Sequence, residues 1–106
     1  MTPAAWLVIT TLETPEQARS LAEEAVRLRH AACVHITAAG ESVYRWDDQI
    51  EQASEVTLLI KTSAERYAAL EAWLQERHPY TTPEIIALPI SAGLPAYLDW
   101  IEQCTR

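Results

Sequence analysis

The chain has 106 residues, of which 49% are hydrophobic and 22% are charged, a balance typical of a globular domain and unlike that of a disordered chain. Its formal net charge of −7 argues against sequence-independent binding to nucleic acid or to an anionic membrane, because those surfaces attract a basic face. We therefore expect a single domain over residues 1–106, without a nucleic-acid or membrane partner.

Cysteine usage and the start of the chain bear on its compartment. Cys33 and Cys104 lie far apart, with no CxxC spacing, so neither a disulfide framework nor a thiolate zinc cluster is indicated. The first residues carry no cationic flank, and the apolar run from Trp6 to Ile9 is too short for a signal peptide or a membrane span. These features predict a cytoplasmic protein.

The first third of the chain predicts a buried strand followed by a helix. Residues 5–12 are apolar and β-branched. Thr14 is expected to cap the helix, with Pro15 in its first position and Gln17 completing a capping box. The apolar stripe of this helix is expected to consist of Ala18, Leu21, Ala22, Ala25 and Leu28.

The centre of the chain predicts a long hairpin. Residues 33–46 indicate a strand interrupted near residues 38–40, where Gly40 suggests a bulge or bend. Residues 47–49 indicate a turn, and residues 50–62 indicate the returning strand. Each arm of about 13 residues spans roughly 43 Å. A compact domain of this length has a diameter of roughly 33 Å, so the hairpin should project beyond it.

The last third predicts a helix, a strand and a terminal helix. Ser63 is expected to cap the helix, whose apolar stripe is Tyr67, Leu70 and Leu74. Residues 84–90 indicate a strand and residues 96–103 a short helix. The order β-α-β-β-α-β plus a C-terminal helix predicts an α+β, ferredoxin-like fold, in which two helices cover one face of an antiparallel sheet.

The projecting hairpin carries Tyr44 and Trp46 on one face of a strand. A ferredoxin-like sheet also has an uncovered face and open edge strands. Because assembly covers all of these surfaces, we predict a closed cyclic homo-oligomer. The alternative is that the bend at Gly40 lets both aromatic side chains fold back onto their own helices.

Two groups of residues are candidate metal ligands. Cys33 and His35 lie at i and i+2 on one strand face, where His30 would be a third ligand for zinc or copper. The favoured interpretation is a buried thiol beside a helix-terminal histidine. The second group is His78 with Glu84, which flank Tyr80 in a segment stiffened by two prolines.

Catalytic and nucleotide-binding patterns have little support. Cys33 lacks a well-placed base, the serines lack a glycine-flanked elbow, and Gly40 and Gly93 are the only glycines available for a phosphate loop. We therefore predict no enzymatic activity. Lys61, at the end of an apolar run, is expected to reach water, with pairing to Glu84 or to an anion as alternatives.

Five motifs in order resemble the CutA divalent-cation tolerance family, over residues 7 to 101. They are Leu28-x-His30-Ala31-Ala32-Cys33-Val34, Ser42-x-Tyr44-x-Trp46, Glu55-Val56-x-Leu58-x-Ile60-Lys61-Thr62, His78-Pro79-Tyr80-x-x-Pro83-Glu84 and Gly93-x-x-x-Tyr97-Leu98-x-Trp100-Ile101.

The resemblance implies a cytoplasmic homotrimer of ferredoxin-like subunits, similar to PII signalling proteins, with a link to tolerance of copper and other divalent metals. It implies an intersubunit cleft or interface at Tyr44, Trp46, Lys61, Tyr80, Glu84 and Trp100.

The chain also departs from the family pattern. Copper-competent members carry a cysteine where this chain has Thr10 and a histidine pair where it has Arg77-His78. His78 and Cys33 are therefore the remaining candidates for weak or indirect binding of copper or zinc, and no firmly bound cofactor is expected. Two alternatives are a PII-like sensor that binds a small metabolite or a partner between subunits, and a purely structural assembly module.

Overall fold

The computed structural model describes residues 4–106. Residues 1–3, which belong to the N-terminal segment tested above for a signal-peptide pattern, lie outside this range. The elements in chain order are β1 (Ala5–Leu12), α1 (Pro15–Arg27), β2 (Cys33–Ile36), β3 (Gly40–Trp46), β4 (Gln49–Ser63), α2 (Tyr67–Arg77), β5 (Ile86–Pro89) and α3 (Pro95–Cys104). No helix within the described range is long and apolar enough to cross a membrane.

Four of the five strands form an antiparallel sheet in the order β2-β4-β1-β5. The fifth strand, β3, pairs antiparallel with residues 49–55, the first half of β4. This order confirms the predicted α+β, ferredoxin-like fold. Residues 33–46 form two strands, and the break lies where the interruption was predicted, because pairing with β4 lapses between Ile36 and Gly40.

The main core lies between the sheet and the two longer helices. Alternate residues of β1 and β4 point towards those helices, as the period of two in a strand requires. Val8, Leu58 and Ile60 are fully buried there, together with Leu70 and Leu74 of α2. A smaller cluster at the other end of the sheet holds α3, through Ile101, Ala5 and Ala32.

Helix α1 begins as predicted and ends earlier than predicted. Thr14 Oγ1 accepts a hydrogen bond from the Gln17 backbone N–H at 3.1 Å, and Pro15 occupies the first turn. The helix ends at Arg27, because Arg29 adopts a left-handed backbone with φ of 64°. Leu28, predicted as part of the buried stripe, is therefore 43% exposed.

Two predicted boundaries also shift. Ser63 Oγ accepts from the Arg66 N–H at 3.3 Å, so it caps the turn before α2 rather than α2 itself. Strand β5 covers residues 86–89 instead of 84–90. Extending its register with β1 would place Pro83, which has no N–H to donate, opposite Leu12.

The hairpin projects from the body as predicted. The protein measures 44 × 27 × 24 Å. We call residues 40–55, which comprise β3, the turn and the start of β4, the ribbon. At its tip Asp47 and Asp48 have φ of 49° and 60°, the pattern of a two-residue type I′ turn.

Candidate functional site

The segment after α2 reaches across to the base of the ribbon. The Tyr80 phenol donates a hydrogen bond to Glu55 Oε2 at 2.8 Å. Burial of the ring, followed by this hydrogen bond and the charge of Glu55, raises the pKa of Tyr80 well above its usual value. Tyr80 is therefore a neutral donor that holds a carboxylate on β4.

His78 connects Tyr80 to the end of β1. Its Nε2 lies 2.8 Å from the Thr11 carbonyl oxygen, and its Nδ1 accepts the backbone N–H of Tyr80 at 3.2 Å. These two bonds place the ring proton on Nε2. The side chain is only 7% exposed, and this burial lowers the pKa of His78, outweighing the opposite effects of the Thr11 carbonyl and the Glu55 charge. The imidazole is neutral at pH 7, with both nitrogens already engaged.

The ribbon aromatics extend outward from this cluster. Tyr44 pairs across the ribbon with Glu51, and its phenol is close enough to contribute to the raised pKa of Tyr80. Trp46 lies further towards the tip and is 56% exposed. By strand alternation both aromatic side chains lie on the same face of the ribbon as Glu55.

The candidate ligands Cys33 and His35, from the first of the two predicted groups, lie on the uncovered side of the sheet. Cys33 and Lys61 are directly opposed neighbours on β2 and β4, with Sγ and Nζ 4.0 Å apart. His35 is exposed on the same side. His30 lies elsewhere, with its ring tilted against that of Trp73 of α2, the two centroids 5.2 Å apart. Nowhere in residues 4–106 do three His, Cys, Asp or Glu side chains gather as a metal ion requires, so His30 does not complete a site with Cys33 and His35.

Two further predicted residues take no part in the hydrogen bonds of the Tyr80 cluster. Glu84 is exposed, and no ion pair links it to Lys61 among the described residues. Trp100 packs in a tilted arrangement against Tyr97 of α3, with ring centroids 5.5 Å apart, and is 41% exposed. Helix α3 packs near Ser63, which is about 26 Å along β4 from Glu55.

Sequence reasoning did not single out Glu55 or Thr11, which complete the cluster. Glu55 begins the third family motif, directly before the buried run of β4, and that position was an available signal. Thr11 contributes only its backbone carbonyl, so its side chain carries no signal.

Comparison with known proteins extends the resemblance to almost the whole chain. Residues 6–104 match the profile of the family described as CutA1 divalent ion tolerance protein. The divalent-cation tolerance protein CutA of Thermus thermophilus is 40% identical over 99 residues, which cover 93% of this chain and 96% of that relative.

Two solved structures have the same fold over nearly their full length. CutA from Synechococcus elongatus superposes with a TM-score of 0.94 at 39% identity. The match covers 99% of this chain and 93% of the Synechococcus chain. CutA1 from the psychrotrophic bacterium Shewanella sp. SIB1 also has a TM-score of 0.94 at 39% identity, covering 99% of this chain and 98% of its own. The chain belongs to the CutA1 divalent ion tolerance family.

Proposed function

We propose that the chain is a non-enzymatic, cytoplasmic homotrimer that acts in tolerance of divalent cations, copper among them, through weak or indirect metal binding. The observation that carries the proposal is a surface too apolar and too extended for a lone subunit. The family name and the name of the Thermus relative describe tolerance of divalent cations, which favours this function over a metabolite sensor.

The uncovered side of the sheet is the first part of that surface. We call it the open face; its apolar side chains are Leu7, Ile9, Leu59, Ile86 and Leu88. Ile86 and Leu88 are 49% and 47% exposed, and the register places Leu88 opposite Leu7 and Ile86 opposite Ile9. A contiguous aliphatic layer of this kind is typical of an interface.

The ribbon is the second part. The protein exposes 6820 Å² of surface. A compact monomer of 11.9 kDa is expected to expose about 6,000 Å². The radius of gyration of 14.4 Å likewise exceeds the roughly 13 Å of a compact domain. The ribbon contributes to this excess surface area with four exposed apolar side chains, namely Val43, Tyr44, Trp46 and Ile50. Their exposure supports burial against other copies of the chain.

Weak metal binding is consistent with the state of the two candidate ligands. A metal at His78 must displace either the Thr11 carbonyl or the Tyr80 N–H from the ring. A metal at Cys33 meets the Lys61 ammonium 4.0 Å from the sulfur. Each site offers one soft or borderline ligand, whereas zinc and copper select three or four.

Sedimentation at micromolar concentration tests the assembly. Wild type is expected to sediment as a trimer and Leu59→Arg as a monomer, because the substitution places a charge in the aliphatic layer. Ala72→Arg, which adds the same charge at an exposed position of α2, is the matched control and should stay trimeric. A wild-type monomer at these concentrations would overturn the proposed trimer.

Calorimetric titration with Cu²⁺ and Zn²⁺ tests the metal proposal. Wild type should bind weakly, and His78→Ala or Cys33→Ser should weaken binding further if the metal contacts that residue. Unchanged binding in a variant removes its residue as a ligand. The absence of saturable binding by wild type would count against direct metal binding and would favour the sensor that binds a small metabolite or a partner between subunits.

A further inference from the structure

Strand β4 pairs with different neighbours along its two halves. Residues 56–63 pair with β1 in the body, whereas residues 49–55 pair only with β3 in the ribbon. Glu55, opposite Gly40, is the last residue of the ribbon ladder, and Val56, opposite Leu12, is the first of the body ladder. The junction between Glu55 and Val56 is therefore where the ribbon can change its angle to the body.

Few bonds hold this junction on the side of β2 and β3. Residues 37–39 separate those two strands and lie outside both ladders. Thr37 makes the connection to β4 there: its N–H donates to the Thr57 carbonyl at 3.0 Å, and its Oγ1 accepts from the Thr57 N–H at 3.1 Å. Among the described residues, β3 has extensive contacts with β4 and with no other helix or strand.

The opposite side of the junction is held by a chain of polar contacts, which we call the brace. It runs from the Thr11 carbonyl to the His78 ring at 2.8 Å, from that ring to the Tyr80 N–H at 3.2 Å, and from the Tyr80 phenol to Glu55 at 2.8 Å. The two rings also contact each other, with centroids 4.7 Å apart.

The backbone makes the brace stiff. His78 is extended, with φ of −68° and ψ of 135°, as a residue before proline prefers. Pro79 then fixes φ between the two rings. One end of the brace is fixed to β1 in the body and the other holds the side chain of the junction residue.

We propose that the brace fixes the angle between ribbon and body, so that the ribbon is already oriented for the neighbouring subunit when subunits meet. This inference rests on the proposed assembly. A preoriented ribbon loses less conformational freedom on association than a swinging one, and association is correspondingly tighter. Tyr80, His78 and Glu55 are positioning residues in this role.

Tyr80→Phe is the sharpest test, because it keeps the ring and removes only the donor to Glu55. The matched control is Tyr67→Phe, which removes a phenol–carboxylate bond of the same kind, 2.6 Å to Glu71, on α2. A second variant, Glu55→Gln, keeps an acceptor at the junction but removes its charge and should have an intermediate effect.

Two readouts are needed: the concentration at which half of the trimer dissociates, and amide hydrogen exchange of residues 41–54. Tyr80→Phe removes the hydrogen bond from the phenol to the charged Glu55 carboxylate. We therefore expect this substitution to raise the midpoint concentration by about tenfold and the ribbon exchange rates by about tenfold. Tyr67→Phe should change neither. Equal effects of the two substitutions, or unchanged ribbon exchange in Tyr80→Phe, would overturn the brace.

The two proposals fail in different ways. A wild-type protein that never assembles contradicts the trimer, while ribbon exchange still tests the brace in the single subunit. A wild-type trimer whose dissociation and ribbon exchange are both insensitive to Tyr80→Phe contradicts the brace alone.

Discussion

Acidification should weaken the fold through His78. The pKa of His78 is lowered in the folded protein by burial, whereas in the unfolded chain it is about 6.5. Above pH 6.5 both states hold a neutral ring and the residue makes no pH-dependent contribution. Below pH 6.5 the unfolded chain takes up a proton that the folded protein does not, so stability falls as pH falls, until the folded pKa is reached.

The size of the effect is bounded by the number of protons involved. One group lowers the free energy of unfolding by at most about 1.4 kcal/mol per pH unit in this range. The Thr11 carbonyl and the nearby carboxylate of Glu55 favour the charged ring and reduce this slope. Protonation also places a proton on Nδ1, which then faces the Tyr80 N–H and breaks that bond.

Urea unfolding between pH 7.5 and pH 5, at one protein concentration, measures the slope. His78→Gln should be less stable than wild type by about 1 kcal/mol at pH 7.5, through its altered hydrogen bonds, and should show a shallower decline towards pH 5. His30, whose pKa is lowered by burial and by the Arg66 charge, keeps its own share of the decline in that variant. His35→Gln is the control, since that ring is exposed.

An NMR titration of the imidazole resonances gives the pKa of His78 in the folded protein directly. A pKa of His78 at or above 6.5 in the folded protein would refute this reasoning. So would equal slopes in wild type and His78→Gln.

Three further substitutions test the local structure, each by urea unfolding at pH 7.5. Thr14→Ala removes the cap of α1 and should lower the free energy of unfolding by about 1 kcal/mol, whereas Thr14→Ser should retain most of that stability. Leu58→Ala empties a fully buried position and should cost about 2–5 kcal/mol; a smaller loss would mean that the core collapses around the site. Asp48→Gly relieves a left-handed backbone with φ of 60° and should stabilise by up to about 1 kcal/mol, a gain that Asp48→Ala should not reproduce.

Local patterns predicted the elements well because each depends on neighbours in sequence. Thr14 and Pro15 marked the start of α1, and the glycine near residue 40 marked the break between β2 and β3. The end of α1 was missed because the left-handed residue there is Arg29, and no glycine or asparagine signals the stop.

The candidate site was less predictable because its contacts are long-range. Tyr80 and Glu55 are separated by 25 positions, and His78 and Thr11 by 67. Only the folded sheet brings β1, β4 and the segment after α2 together. Cys33 and Lys61, by contrast, become neighbours through strand register, which the hairpin pattern alone does not specify.

The geometry around His78 gives a histidine a role at this position that requires no metal. The two positions that the family pattern would use beside it hold Thr10, which is fully buried, and Arg77, which pairs with Glu24 at 2.9 Å. Neither offers a ligand that copper prefers. The side chain at position 78 must donate to the Thr11 carbonyl and accept from the Tyr80 N–H at the same time. Neutral imidazole supplies both. Because that requirement exists without any metal, loss of His78 should alter the stability and the orientation of the ribbon even under conditions where metal affinity is too weak to matter.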